Sequence, residues 1–142
     1  MYTVFLPVGR TTEGTTEAVE AIASLPAGAD VRVIVAHVTR DIELYGPDGS
    51  YVSLDRADLR VPDPVESVFE QLAARGIDVS LELRQGEDVA DTLLEAARDH
   101  EADLIVVPTR RRSKISEVLF GSTTTELLRS ATVPVTVVSA TE

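Results

Sequence analysis

The sequence has no cysteine, no tryptophan and a single lysine, Lys114. Without cysteine there is no disulfide, no thiol nucleophile and no thiolate metal site, which suits a reducing compartment, and the cytoplasm is the expected location. No apolar run approaches the roughly eighteen residues of a membrane span, and no basic, apolar leader opens the chain. Neither a membrane helix nor a signal peptide is therefore expected. Bases are also scarce: 24 acids face 13 bases, for a formal net charge of −11. Nucleic-acid binding depends on neutralising phosphates, so this charge excludes nucleic acid as an expected partner.

What is present is a regular alternation of apolar segments within 142 residues, the length of one ordinary domain, 1–142. Tyr2 to Val8 reads as a strand stopped by Gly9-Arg10. Thr15 to Leu25 reads as a helix with Ala18, Ile22 and Leu25 on one stripe, closed by Pro26-Ala27-Gly28. Asp30 to Val38 is a second buried strand; His37 near its end is read as a packed core residue. A second helix opens at Pro64 and carries Val65, Val68, Phe69, Leu72 and Ala73 at helical spacing until Gly76. Ile77 to Arg84 alternates as a strand. Gly86-Glu87-Asp88 starts a third helix, with Val89, Leu93 and Ala97 inward, and His100 beyond it reads as solvated. Between these segments, Arg40 to Pro64 contains the turn cluster Gly46-Pro47-Asp48-Gly49 and is read as a lid with no contacts assigned. Strands alternating with helices imply an α/β fold with parallel strands joined by right-handed crossovers.

The last forty residues organise the rest. Ala102 to Val107 is a β-branched run without alternation, as in a strand covered on both faces, and Pro108 is expected to mark its carboxyl end. A basic loop follows, with Arg110, Arg111, Arg112 and Lys114. Gly121-Ser122-Thr123-Thr124-Thr125-Glu126 reads as a helix start, with Thr123 and Glu126 at capping-box spacing, and Val133 to Val138 is the final strand. A basic loop and a helix N-terminus thus meet beyond the carboxyl end of a parallel strand, where open α/β folds bind anionic ligands.

In these segments the chain resembles the universal stress protein family, the UspA-like branch of adenine-nucleotide-binding α/β folds, over its whole length. The family's Ala-Asp-x-Ile-Val-x-Gly strand, Gly-x2-Gly-x9-Gly-Ser/Thr phosphate loop and Pro-Val-x-Val-Val strand align at the right spacing. Pro108 and Arg111 stand at the first two glycines, while Gly121 and Ser122 agree. The family's Pro-x-Asp-x-Ser after the first strand aligns with Pro7, Val8, Gly9, Arg10 and Thr11, so the aspartate is replaced by Gly9. Gly9 reads either as a tight turn needing positive φ or as a close approach to ligand.

The resemblance implies a Rossmann-like open five-stranded parallel sheet of order 3-2-1-4-5, with four helices in three layers. It places the ligand cleft at Pro7, Val8, Gly9, Val38, Pro108, Thr109, Arg111, Gly121, Ser122 and Thr123, with Val38 near an adenine. Pro108 removes a phosphate-binding N–H, Arg111 adds a long side chain, and Gly9 removes a carboxylate. The expected occupant is accordingly a phosphate or chloride anion, with ATP bound weakly or not at all. The alternative is ATP or AMP binding with the arginines of the loop replacing the lost donors. No catalytic base, nucleophile or metal cluster stands out, and no enzyme activity is expected. Val133 to Val138 is expected to form an edge strand through which two copies pair, with further protein partners unidentified. An acid excess with one lysine resembles proteins of salt-accumulating archaea, and a halophilic archaeal source is expected; the alternative is an acidic cytoplasmic protein from a GC-rich genome.

Overall fold

Strands without apolar–polar alternation need cover on both faces, and the computed structural model supplies it; it describes residues 1–26, 30–39, 61–110 and 121–140. The elements run β1 (Tyr2–Pro7), α1 (Thr15–Ala23), β2 (Val31–Thr39), α2 (Asp63–Ala74), β3 (Asp78–Gln85), α3 (Val89–Asp99), β4 (Leu104–Arg110), α4 (Ser122–Ser130) and β5 (Val135–Ala140). They form one parallel sheet of order β3-β2-β1-β4-β5. The core divides by strand parity into two layers. Val4, Leu6, Val33 and Val35 pack on Ala18 and Ile22 of α1 and Val65, Val68 and Leu72 of α2. Phe5, Ile34 and Ile105 pack on Leu93, Leu94 and Ala97 of α3 and Leu127 of α4. Helix pairs thus cover opposite faces of the sheet, in three layers.

Pro108 does not end β4. The strand continues to Arg110, with Pro108 in register with Val138 of β5. Ile105 N–H donates to the Pro134 carbonyl at 3.0 Å, so Ile105, Val107 and Thr109 direct their backbone groups at β5. Pro108 directs its nitrogen the other way, towards β1. There the ladder is recorded only at Val4–Leu104 and Phe5–Ile105, so no donor is missed. Because β1 pairs with β2 as far as Pro7–Ala36 and β4 with β5 as far as Arg110–Ala140, a crevice opens between β1 and β4 at the switch point of the sheet. The entry to β4 is held by Asp103, whose carboxylate accepts from Thr3 N–H at 2.9 Å while its own N–H donates to the Thr3 carbonyl at 2.8 Å.

Helix ends follow local chemistry. At the end of α2, Gly76 at φ +76° donates to the Ala73 carbonyl and Ile77 to that of Leu72, a Schellman motif. The same pair of bonds ends α3, from Glu101 to Arg98 and from Ala102 to Ala97, with Glu101 at φ 52° where glycine is usual. His100 is not simply solvated: Nε2 lies 3.4 Å from Glu82 Oε2, and its carbonyl accepts from Arg32 at 3.4 Å. The expected lid at 40–64 lies largely outside the described residues, as do Ala27 and Gly28 and the basic loop from Arg111 to Lys114.

Candidate functional site

The crevice between β1 and β4 is a cleft of about 270 Å³. Its floor comes from the strand ends, where hydrophobic sequence carries the chain to the carboxyl edge: Pro7 at the end of β1 and Val8 just after it, Ala36, His37 and Val38 on β2, Val107 and Pro108 on β4. One wall is the start of α3, through Val89 and Leu93, and the other the start of α4, through Thr123, Thr124 and Leu127. Thr11 and Thr12, in the turn between β1 and α1, close the rim.

Of the residues assigned from sequence, Pro7, Val8, Gly9, Val38, Pro108 and Thr123 line this cleft together. Thr109 sits half-buried on β4 outside it, and Gly121 is exposed at the start of α4. Ser122 belongs to a neighbouring depression of about 310 Å³, which Glu87, Asp88, Glu126 and Thr123 also line. Arg111 lies outside the described residues. Sequence reasoning missed Thr11, Thr12 and Thr124 as lining residues, and it placed His37 in the core without placing it at the cleft. The legible signal was position: each lies within a few residues of a strand's carboxyl end or a helix start.

Two local expectations change. Gly9 is not held at positive φ, a state confined to Gly14 and Gly76 among the described glycines. Its N–H is bonded by Thr12 Oγ1 at 2.7 Å, and a Cβ there would meet only that oxygen, at an ordinary 3.5 Å. The turn is shaped by the Thr12 hydroxyl, so the absence of a side chain at residue 9 is not a backbone requirement. The capping box at α4 does not form either. Gly121 is the N-cap, its carbonyl accepting from Thr125 at 3.0 Å, which puts Thr123 inside the helix. Glu126 instead meets Ser130 at 2.8 Å and Arg129 at 3.5 Å. No side chain caps this end among the described residues, and Thr123 and Thr124 of its first turn, at the positive end of the helix dipole, line the cleft.

The electrostatics of the cleft are spare. No carboxylate, lysine or arginine is among the described residues that line it. Its polar equipment is hydroxyls, backbone groups and His37, which is buried at 9% exposure with Nδ1 3.1 Å from the Val8 carbonyl oxygen. Such a lining can hold a small anion by N–H and O–H donation. It provides no carboxylate for a ribose hydroxyl or a metal ion.

Comparison with known proteins agrees with this architecture. The model of the universal stress protein family matches residues 1–139. A curated universal stress protein of Mycolicibacterium smegmatis is 31% identical over 116 residues, covering 77% of this chain but only 38% of that longer protein. Among solved structures, a member of the universal stress protein family from Burkholderia pseudomallei superposes with a TM-score of 0.68 at 26% identity, over 97% of this chain and 96% of that one. The universal stress protein of Archaeoglobus fulgidus in complex with dAMP superposes with a TM-score of 0.66 over 97% of this chain and 98% of that one; at 16% identity this likeness is one of fold. With the strand order, the switch-point cleft and the full-length match in agreement, the chain belongs to the universal stress protein family.

Proposed function

We propose that this protein is a homodimeric stress-response module whose cleft is a reduced form of a nucleotide site, holding a small anion such as phosphate or chloride and binding ATP weakly or not at all. The observation that carries this reading is Pro108. It lines the cleft where a phosphate loop would begin, it has no N–H to offer, and its ring occupies the space a glycine leaves open. Gly9 adds to it, because the position best placed to supply a carboxylate has no side chain.

Pairing through β5 is supported by its place at the sheet edge. Since Pro134 faces β4 with its carbonyl, the outward N–H groups belong to Val135, Val137 and Ser139, and the missing donor of Pro134 is not needed for antiparallel pairing with a second copy. A monomeric mass at micromolar concentration in high salt would count against the dimer. The acid excess and the lack of cysteine support a cytoplasmic setting, in a cell rich in salt.

A second reading, adenine-nucleotide binding, is favoured by the uncapped start of α4 beside the cleft and by the dAMP complex of the Archaeoglobus fulgidus relative. Calorimetric titration with ATP and Mg²⁺, at high and moderate salt and with AMP and free phosphate as controls, separates the two. The expected result is heat from phosphate and none from micromolar ATP. Micromolar ATP binding that is lost in the double variant Gly121→Val, Ser122→Ala would overturn the anion reading.

A further inference from the structure

β3 is an outer strand of the sheet, and among the described residues nothing pairs with its free side. Gly86 N–H donates to the Thr39 carbonyl at 3.0 Å, so Arg84 and Gly86 direct their backbone groups at β2. By alternation, the N–H and carbonyl groups of Val79, Leu81, Leu83 and Gln85 point outward. Strand edges are commonly guarded by lysine, proline or a bulge. β3 contains neither residue, and its register with β2 runs unbroken from Asp78 to Gln85. Leu81 and Leu83 are instead 37% and 44% exposed. Both share the α1 and α2 face of the sheet with Val35 and Val79.

On that face, the first turns of α2 and the edge of β3 enclose a groove of about 790 Å³. Among the described residues, Val65, Phe69 and Leu81 give it an apolar lining, and Asp63, Glu66 and Glu70 line it with carboxylates and no base. All three acids are exposed, and none has an ion pair among the described residues. The dipole of α2 accounts for Asp63 and Glu66 in its first turn, but not for Glu70 a turn further on.

We propose that the groove and the free edge of β3 dock an extended segment of another protein, one that carries arginine or lysine beside apolar side chains. The segment adds a strand to the sheet: its backbone meets the outward groups of Leu81 and Leu83, its apolar side chains enter the groove, and its cations meet the three carboxylates. Charge selects this occupant over a second copy of the chain. Two-fold pairing at β3 would set the acids of one groove against the same acids of the other, with no described base between them. β3 is also the strand farthest from β5, so a dimer formed through β5 leaves both docking edges open. In strong salt the apolar contact persists while the selection by charge weakens.

The test is fluorescence anisotropy of a labelled, end-blocked peptide, Arg-Thr-Val-Thr-Val-Thr-Arg, titrated with the intact protein at moderate and high salt. As a strand, this peptide puts both arginines and both valines on one face. The expected result is binding at moderate salt that falls by about tenfold or more when glutamates replace the arginines, and likewise when the central Thr and the Val before it are N-methylated. High salt should narrow the gap between the basic and acidic peptides. Leu81→Thr and the double variant Glu66→Lys, Glu70→Lys change exposed side chains. Each should weaken binding by about tenfold or more, with the circular dichroism spectrum and the response to phosphate unchanged. Equal affinity for the acidic or the N-methylated peptide, binding that survives both protein variants, or no binding by the folded protein overturns the proposal. So does a dimer that Leu81→Thr dissociates, which would put a second copy on this edge. The phosphate titration reports the cleft separately, so the anion reading stands or falls on its own.

Discussion

The N-termini of α3 and α4 lie side by side at the carboxyl edge of the sheet, yet they are built differently. At α3 the approach is tight. Gly86 donates to the Thr39 carbonyl at 3.0 Å, the Asp88 carboxylate caps Asp91 N–H at 3.0 Å, and Thr92 Oγ1 donates to the Asp88 carbonyl at 2.8 Å. At α4 the N-cap is Gly121, with no capping side chain among the described residues and nothing within 4 Å of where its Cβ would stand. One helix start is closed by its own side chains; the other keeps its N–H groups for something else. Gly121 and Ser122 are exposed, so these N–H groups are open to solvent or to a ligand. That difference is why the anion proposed above is placed at the α4 end of the cleft.

The largest effect should come from breaking the closed end. A Cβ on Gly86 would stand 2.0 Å from Thr92 Oγ1 and 3.1 Å from Thr92 Cβ, and Thr92 is β-branched and hydrogen-bonded. Gly86→Ala should therefore cost about 1–3 kcal/mol in urea unfolding. Removing only the cap is milder: Asp88→Ala should cost about 1 kcal/mol, and Asp88→Asn much less. A wild-type midpoint in either alanine variant would erase the contrast drawn here.

The far end of α3 is anchored too, and pH reports it. Arg84 bridges Glu82 at 2.6 Å and Asp99 at 2.9 Å, while His100 faces Glu82. Partial desolvation pushes the Glu82 carboxyl up, but bonds and charge from Arg84 and His100 together outweigh it and hold the pKa below the usual carboxylate range. A lowered folded-state pKa means that Glu82 stabilises the fold above its ordinary value, and that this contribution is lost as pH falls through the lowered one. The stability gap between wild type and Glu82→Gln should thus be widest near neutrality and close in acid; a gap that stays constant would show that the carboxylate charge is idle.

The smallest effect tests the open end. At φ −66° and ψ 170°, Gly121 has the extended backbone of an N-cap, so Gly121→Ser can supply the missing cap in free space. Stability should rise by a few tenths of a kcal/mol, roughly, while anion affinity falls because a donor is now occupied. A gain in both would mean that this helix start does not face the ligand.

Much of this was legible in residue order, and the failures have a common cause. Unalternating runs such as Ala102 to Val107 require cover on both faces, and the stripes of Val65, Val68 and Leu72 or Leu93 and Ala97 supply it, so the need for cover followed from hydrophobic periodicity, while the strand order and the three layers came from the family resemblance. Gly76 ended its helix as expected because a left-handed cap is a local matter. Pro108, Thr123 and His37 were different. Whether a proline ends a strand depends on which neighbour its nitrogen faces, which is set by register with β5 and the parting from β1. Whether Thr123 caps a helix depends on where the helix starts, and Gly121 started it two residues sooner. His37 was recognisable as buried, but its direction is fixed by a carbonyl 29 residues away in sequence. The sequence by itself determined the elements, their apolar faces and the α/β class, because each is a property of neighbouring residues along the chain. Only the tertiary structure decided which donors remain open at the cleft, because a hydrogen bond across strands is settled by register and direction, and neither is written in local spacing.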